Sequence, residues 1–210
     1  MYQRAMNRGF TLAEVLITLL IVGVIASIVI PSIIQESQNA ELKAAWKKTY
    51  ADLSQAFKIA AANEGGSLRG CAGNDSCFKN KFIPYMNAVK TNCDSRTLCL
   101  GNCWHNYGNW KVLNEVAPPE NYFNIWAGSV LSNGVLLNIG SSDPPTPGGI
   151  LAFVIADVNG FKVPNIVGKD IYGIRVFEYG SVKPLGYQGD GHQNTCATTG
   201  WGCSAQYLYQ

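Results

Sequence analysis

The chain has 210 residues, of which 47% are hydrophobic and only 14% are charged, and its formal net charge is +2. This apolar content excludes an intrinsically disordered chain, and a mean hydropathy of +0.03 excludes a protein with many membrane spans. The near balance of charge argues against nucleic-acid binding through bulk charge. The composition therefore indicates one globular domain, alone or with an appendage.

The segment 1–34 combines a basic start with a long apolar run. Arg4 and Arg8 precede the run, and between residues 15 and 30 nothing is more polar than threonine or serine. A helix over 15–30 is about 24 Å long, near the lower limit for crossing a hydrocarbon core of about 30 Å. Because basic flanks stay in the cytoplasm, residues 10–34 predict a single membrane anchor whose N-terminus is cytoplasmic.

An ordinary secretory signal is the alternative explanation of this segment, with cleavage after the small residue Ala26. Two features argue against it. Glu14 lies inside the apolar run, where an acidic side chain is unfavourable and usually functional. The apolar run also continues past Ala26 into a further helical pattern instead of a polar mature start.

The residues GFTLAE at positions 9–14, after a short basic leader, resemble the cleavage and methylation motif that type IV prepilins share with type II secretion pseudopilins. The resemblance implies that prepilin peptidase removes the leader 1–9 by cutting between Gly9 and Phe10 on the cytoplasmic side. It further implies that the same enzyme methylates the new amine of Phe10. Glu14, the fifth residue of the mature chain, takes an assembly role.

A second helical pattern occupies residues 35–64. Apolar residues recur at spacings of three and four while most lysines lie elsewhere, which is typical of an amphipathic helix. This stripe consists of Leu42, Trp46, Thr49, Tyr50, Leu53, Phe57 and Ala60. Gly65 and Gly66 predict the end of the helix, and Pro31 predicts a kink or a loosened turn. The segment is therefore expected to continue the anchor as a stalk into a globular head.

The head, 65–210, has three predicted parts. Residues 65–125 are rich in glycine, asparagine and cysteine and predict an irregular loop, with a short helix or turn within 79–89. Residues 126–180 predict four antiparallel strands with a hairpin turn at 132–134, and 181–210 form a C-terminal tail. The predicted strands are 126–131, 135–139, 150–156 and 171–179. The fold class is α+β and resembles a pilin: a long N-terminal helix packed on a small antiparallel sheet, with a cysteine-rich αβ-loop and a C-terminal extension.

Seven cysteines in a head outside the cytoplasm predict disulfides. Cys196 and Cys203 enclose a short glycine-bearing loop and are the favoured pair, followed by Cys71 with Cys77.

The other three cysteines, Cys93, Cys99 and Cys103, allow one bridge and leave one thiol, and the sequence does not fix which. Cys99, Cys103 and His105 can also be drawn as a zinc site, but no second closely spaced pair of cysteines supports that reading.

Asp157, Asn159 and Asp170 are weak candidates for calcium ligands between the last two predicted strands. The pattern Asp-x-Asn is similar to the start of a calcium loop, and the resemblance adds that major pseudopilins bind calcium in a loop near this region. No acid closes the motif at the twelfth position. The favoured alternative is that these side chains brace turns through backbone hydrogen bonds. No other cofactor is expected.

No catalytic pattern is present, so the chain is not expected to be an enzyme. His105 and His192 lie in sequence expected at the surface, and neither joins a Ser/His/Asp set, a carboxylate pair or a phosphate loop. The aromatic residues of the loops are expected to lie in the core or to brace the loops. They are Trp104, Tyr107, Trp110, Trp126 and Trp201.

The sequence therefore predicts a pilin-like structural subunit that assembles into a type IV pilus or a type II secretion pseudopilus. The implied partners are prepilin peptidase, other pilin-like subunits, an assembly ATPase with its platform, and the inner membrane; no nucleic acid is expected. The head would lie in the periplasm or in an extracellular filament. A minor pilin for adhesion or DNA uptake is an alternative that needs a basic head, whereas residues 10–210 carry equal numbers of basic and acidic residues. Two further alternatives are a membrane-anchored binding protein with an uncleaved leader and a secreted protein that starts at Ser27.

Overall fold

The computed structural model describes residues 10–114, 127–146 and 149–209, excluding the side chains of 143–146. The predicted leader with Gly9, and Trp126 at the start of the first predicted strand, lie outside the described residues. The chain divides into two compact units, Met1–Ala40 and Glu41–Gln210.

Helix α1 is one continuous element, Leu12–Asn63, so the predicted anchor and stalk segments share a single helix. The helix continues through Pro31, so this proline does not end it, and the kink or loosened turn expected there stays a prediction. The predicted end is confirmed: Gly65 and Gly66 have positive φ angles of 74° and 97°, and the Gly66 N–H donates to the Ala61 carbonyl at 2.8 Å. This bond closes the last turn around a left-handed residue, as glycine allows.

The second unit holds a six-stranded antiparallel sheet whose strand order follows the chain. Its strands are β1 Ala88–Cys93, β2 Ala127–Leu131, β3 Leu136–Thr146, β4 Ile150–Asp157, β5 Ile171–Phe177 and β6 Val182–Pro184. Besides the end of α1, the helices are α2 Asp75–Phe82, α3 Arg96–Cys99 and α4 Cys203–Tyr209, with 3-10 turns at Arg69–Cys71 and Ile83–Tyr85.

The four predicted strands correspond to β2–β5, and the expectation of four is corrected to six. β1 lies in the segment predicted to be irregular, and its pairing with β2 contains two register shifts. β6 has three residues and ends at Pro184. Both are edge strands with weak alternation, which is why a periodicity of two does not identify them.

One face of the sheet packs on the second half of α1, and we call it the helix face. The predicted stripe is confirmed there: Trp46, Leu53 and Phe57 are buried in the same core as Ile174 and Val176 of β5. The Trp46 ring stacks on Tyr172 with centroids 4.9 Å apart.

The opposite face of the sheet, which we call the loop face, is covered by the cysteine-rich loop and the C-terminal tail. Trp104, Trp110 and Trp201 form a second core with Ile155 and Ile171. The loop aromatics were expected in the core or as braces for the loops, and these three tryptophans are buried. The segments predicted to be irregular therefore bury one side of the sheet although they contain little regular structure.

Three disulfides fix these covering segments. Two are the pairs that the sequence favours, Cys71–Cys77 and Cys196–Cys203, and the third is Cys93–Cys103. Cys99 is the remaining thiol and is buried. Burial raises the pKa of Cys99 to about 12, so its reactive thiolate is scarce at neutral pH.

Candidate functional site

The start of α1 is held by a reciprocal cap between Thr11 and Glu14. The Thr11 N–H and hydroxyl donate to Glu14 Oε2 at 2.8 and 2.9 Å, and the Glu14 N–H donates to Thr11 Oγ1 at 3.2 Å. This pattern is a capping box, in which a Thr and a Glu three residues later satisfy backbone donors of the first turn. Its sequence signal is T-x-x-E at positions 11–14, so Thr11 has a role that the prepilin motif alone does not indicate. The cap directs the Glu14 carboxylate toward the helix start.

Residues 10–34 of the first unit are mostly apolar, and nearly all of their side chains are exposed. Phe10 is 89% exposed and Leu12 is 79% exposed. Among the described residues, α1 is the helix long and apolar enough to cross a membrane; its most apolar window has a mean hydropathy of 2.7 and none of that window is buried. Such a surface is stable only in lipid or against other apolar chains.

In the second unit, the candidate calcium residues converge at one end of the sheet. Asp157 ends β4, Asp170 precedes β5, and the Val158 N–H donates to the Asp170 carbonyl at 2.9 Å. The Asp170 carboxylate accepts the backbone N–H groups of Asn165 and Ile166 at 2.7 and 2.6 Å. These contacts are those of a loop brace, which is the interpretation that the sequence favours.

The Asp157 carboxylate has two other partners. Its Oδ1 accepts the Asn159 N–H at 3.1 Å, and its Oδ2 lies 2.8 Å from Nε2 of His105. Both side chains of this pair are buried, so the expectation that His105 lies at the surface is wrong. The reason is tertiary: the loop that carries His105 folds over the sheet, with the imidazole edge-on to Trp104 and Phe161.

Burial also sets the electrostatics of this cluster. Burial raises the pKa of Asp157 to about 6, and the nearby charge of Asp170 also raises it. The hydrogen bond from His105 acts in the opposite direction and lowers the pKa. Burial likewise raises the pKa of Asp170, opposed by the N–H donors of its loop. His192 is elsewhere, in the C-terminal tail, where burial lowers its pKa.

Within the described residues there is no group of three or more His, Cys, Asp or Glu side chains that could hold a metal ion. Two of the three residues considered as zinc ligands have other partners. Cys103 forms a disulfide with Cys93, and His105 is hydrogen-bonded to Asp157. Calcium at Asp157, Asn159 and Asp170 stays a prediction.

Comparison with known proteins identifies the N-terminal segment. The family model for the prokaryotic N-terminal methylation motif, the signature of type IV pilins and pseudopilins, matches residues 4–30. The chain has a prepilin-type N-terminus. No curated protein and no solved structure matches the chain.

The prepilin motif places the candidate functional site in the first unit. It spans the predicted processing residues Gly9 and Phe10, of which Gly9 lies outside the described residues, and Glu14. Proteins with this motif are structural pilin-like subunits, which agrees with the lack of a catalytic pattern in the sequence. The motif supports the conclusion that the chain is a substrate of prepilin peptidase. The apolar helix fits a protein that is anchored in the inner membrane.

Proposed function

We propose that this protein is a pilin-like subunit that prepilin peptidase cleaves between Gly9 and Phe10 and methylates on Phe10, and that then polymerises into a type IV pilus or type II secretion pseudopilus. The observation that carries the proposal is the methylation motif at residues 4–30, which includes the exposed apolar start of α1. The head fold, an amphipathic helix on an antiparallel sheet, is of the kind expected for such a subunit.

Assembly is driven by the apolar surface of the first unit. In the precursor this surface lies in the inner membrane, with the basic leader in the cytoplasm and the head on the other side. An assembly ATPase and its platform draw subunits out of the lipid, and the same apolar side chains then pack against those of neighbouring copies. Outside the lipid, exposure of this surface to water would cost about 25 cal/mol per Å², and packing against neighbouring copies avoids that cost. Head-to-tail contacts that do not close produce a filament.

Glu14 acts in this assembly as the counter-charge of the mature amine. The cap with Thr11 holds its carboxylate at the start of α1, one turn from Phe10. After cleavage, Phe10 carries a positive amine at that same end. Pairing of the two charges, within one chain or between neighbours, fixes the axial register of the helices, because an unpaired carboxylate in the apolar fibre is unfavourable.

Processing by the peptidase provides the test. The full chain is expressed in cells that have or lack prepilin peptidase, and the variant Gly9→Ile is compared with the control Gly23→Ala, a position where an added Cβ meets nothing within 4 Å. We expect wild type and the control to be shortened only when the peptidase is present, and Gly9→Ile to stay uncut. Shortening that is independent of the peptidase would favour the secretory-signal alternative.

A further inference from the structure

The β4–β5 connection displays an apolar tip, which we define as residues 161–164. Phe161 is 51% exposed and Val163 is 82% exposed, and Lys162 and Pro164 between and beside them are exposed as well. Large apolar side chains that lie close together and are exposed to water indicate a contact surface when the backbone holds them in place.

The base of the tip is held by several bonds. The Asn159 side-chain amide donates to the Val163 carbonyl at 3.2 Å, and the Asn165 side-chain amide donates to the Asn109 carbonyl at 3.1 Å. Asp170 fixes the backbone just beyond the tip, as described above. A fixed loop loses little conformational entropy when it binds, so the buried polar cluster prepares the tip for docking.

The tip lies on the loop face of the sheet. Along β4, Val154 and Ala156 belong to the helix-face core, whereas Ile155 belongs to the loop-face core. Because side chains alternate along a strand, Asp157 also points to the loop face, where it meets His105. Phe161 packs on that imidazole at 5.3 Å between ring centroids.

A groove of about 340 Å³ opens on the opposite side, beside α1. One wall is a stripe of α1 that includes Asp52, Gln55 and Ile59, and the other wall includes Tyr85 and Leu131. Ile59 and Tyr85 are 36% and 42% exposed, so the groove offers apolar contact area in the monomer.

The tip and the groove offer one pair of opposite charges, Lys162 and Asp52. Lys162 of the tip and Asp52 of the groove are both exposed, and neither makes an ion pair among the described residues. Lys48 also lines the groove, one turn before Asp52, and Asp52 is the one acidic side chain among the described lining residues.

We propose that the tip of one copy of this chain docks into the α1 groove of a second copy, with Lys162 paired to Asp52 and Phe161 and Val163 packed on Ile59 and Tyr85. The proposal rests on the proposed function, since it supplies the contact between heads. The tip and the groove lie on opposite faces of the sheet, so one copy can use both at once. Such a contact is heterologous and continues from copy to copy, as a filament requires.

Sedimentable multimers of the full chain in cells test this contact. We expect the double variant Phe161→Ser, Val163→Ser to be cleaved and membrane-inserted normally but to reduce the multimer by about tenfold, since two buried apolar contacts are lost. The control Val89→Ser removes another exposed valine, on β1, and leaves the yield unchanged. An unchanged yield from the double variant overturns the docking contact.

A charge exchange supplies the second test. Lys162→Asp and Asp52→Lys each lower the yield, and the two together restore it; the controls Lys169→Asp and Glu41→Lys, exposed and outside the contact, have little effect. Failure of the double exchange to restore multimers contradicts the pairing. If wild type itself forms no multimer and begins at Ser27, the proposed function fails. If wild type assembles while every tip variant assembles equally well, only the docking contact fails.

A disulfide ladder gives the geometry directly. Val163→Cys and Ile59→Cys in the same chain should link neighbouring copies in the oxidising compartment, because both positions are exposed and opposed in the proposed contact. We expect a ladder of multimers on non-reducing gels from the double variant and monomers from each single variant. A double variant that gives only monomers, while it still assembles, overturns the contact.

Discussion

Glu14 has a capping role in the structure and a second, proposed role in assembly, and substitution separates the two. In the precursor its carboxylate caps the first turn of α1 through Thr11, and removal of such a cap typically costs about 1 kcal/mol. In the filament the same carboxylate is proposed to pair with the Phe10 amine. The first role affects only the helix start, whereas the second affects the assembled fibre.

The variant Glu14→Ala should therefore be inserted and cleaved but should enter filaments poorly. Loss of one member of a buried ion pair typically costs about 3–5 kcal/mol, far more than the cap alone. Glu14→Lys should assemble less still, because it places like charge beside the amine. The measurement is the amount of sedimentable filament that each variant forms in cells without the native gene. Glu36→Ala, which removes an exposed acid from the same helix, is the control. Normal filament yield from Glu14→Ala would exclude the mechanism.

Burial of Asp157, whose carboxylate lies against His105, makes the stability of the head depend on pH. The folded state raises the pKa of Asp157 from 3.8 to about 6, so folding favours its protonated form. The stabilisation from this group is complete below the lower value and is lost as pH rises through about 6. We expect the unfolding temperature of wild type to fall, relative to that of Asp157→Asn, as pH rises from 3.8 to about 6. Asp52→Asn, which changes an exposed aspartate, is the control. Parallel profiles of wild type and Asp157→Asn would contradict this assignment.

Among the elements, the C-terminal tail depends on its disulfide. Cys203 begins α4, and the Ser204 hydroxyl at the next position accepts the Gly173 N–H of β5 at 3.0 Å. The bridge from Cys196 thus ties the tail loop to a helix that contacts the sheet. Without it, the tail is free to leave the loop-face core that Trp201 helps to form.

The double variant Cys196→Ser, Cys203→Ser should lower the free energy of unfolding by about 2–3 kcal/mol, as expected for loss of a bridge that closes a short loop. Thermal unfolding of the full chain in detergent measures the change. Cys99→Ala is the control, because it removes a buried sulfur without a bridge. Free thiols at Cys196 and Cys203 in protein isolated under oxidising conditions would contradict the pairing.

The β4–β5 loop is expected to need no metal ion for its shape. Both Asp170 oxygens accept backbone N–H groups, and Asp157 is occupied by His105 and the Asn159 N–H. The side-chain amide oxygens of Asn159 and Asn165 are buried and accept no hydrogen bond among the described residues. We expect the unfolding temperature to be unaffected by calcium or by a chelator. A rise with calcium that Asp157→Asn abolishes would instead assign these residues as ligands.

The helix and the central sheet were predictable because their signals are local. The apolar run and the stripe on α1 repeat over many turns, and the hairpin between β2 and β3 carries its own turn residues; Gly134 there has a φ of 88°. The prepilin motif is equally local, since its residues occupy consecutive positions. The capping box is local as well, because Thr11 and Glu14 lie three positions apart at the start of α1.

The remaining features depend on contacts between distant residues. His105 meets Asp157 across 52 positions, and no pattern near either residue reports it. The loop-face core joins tryptophans from the cysteine loop and the tail, whose composition resembles surface sequence. β1 and the third disulfide are likewise determined by tertiary packing, so the sequence leaves their pairing open.

For the chain as a whole, the central claim is that a methylated Phe10 becomes the first residue of a subunit that assembles. Mass spectrometry of the N-terminal peptide, from protein isolated with its native peptidase, tests this most directly. We predict a mature chain that spans residues 10–210 and carries one added methyl group on the amine of Phe10. A mature chain that begins at Ser27, or one that keeps residues 1–9, would contradict the claim.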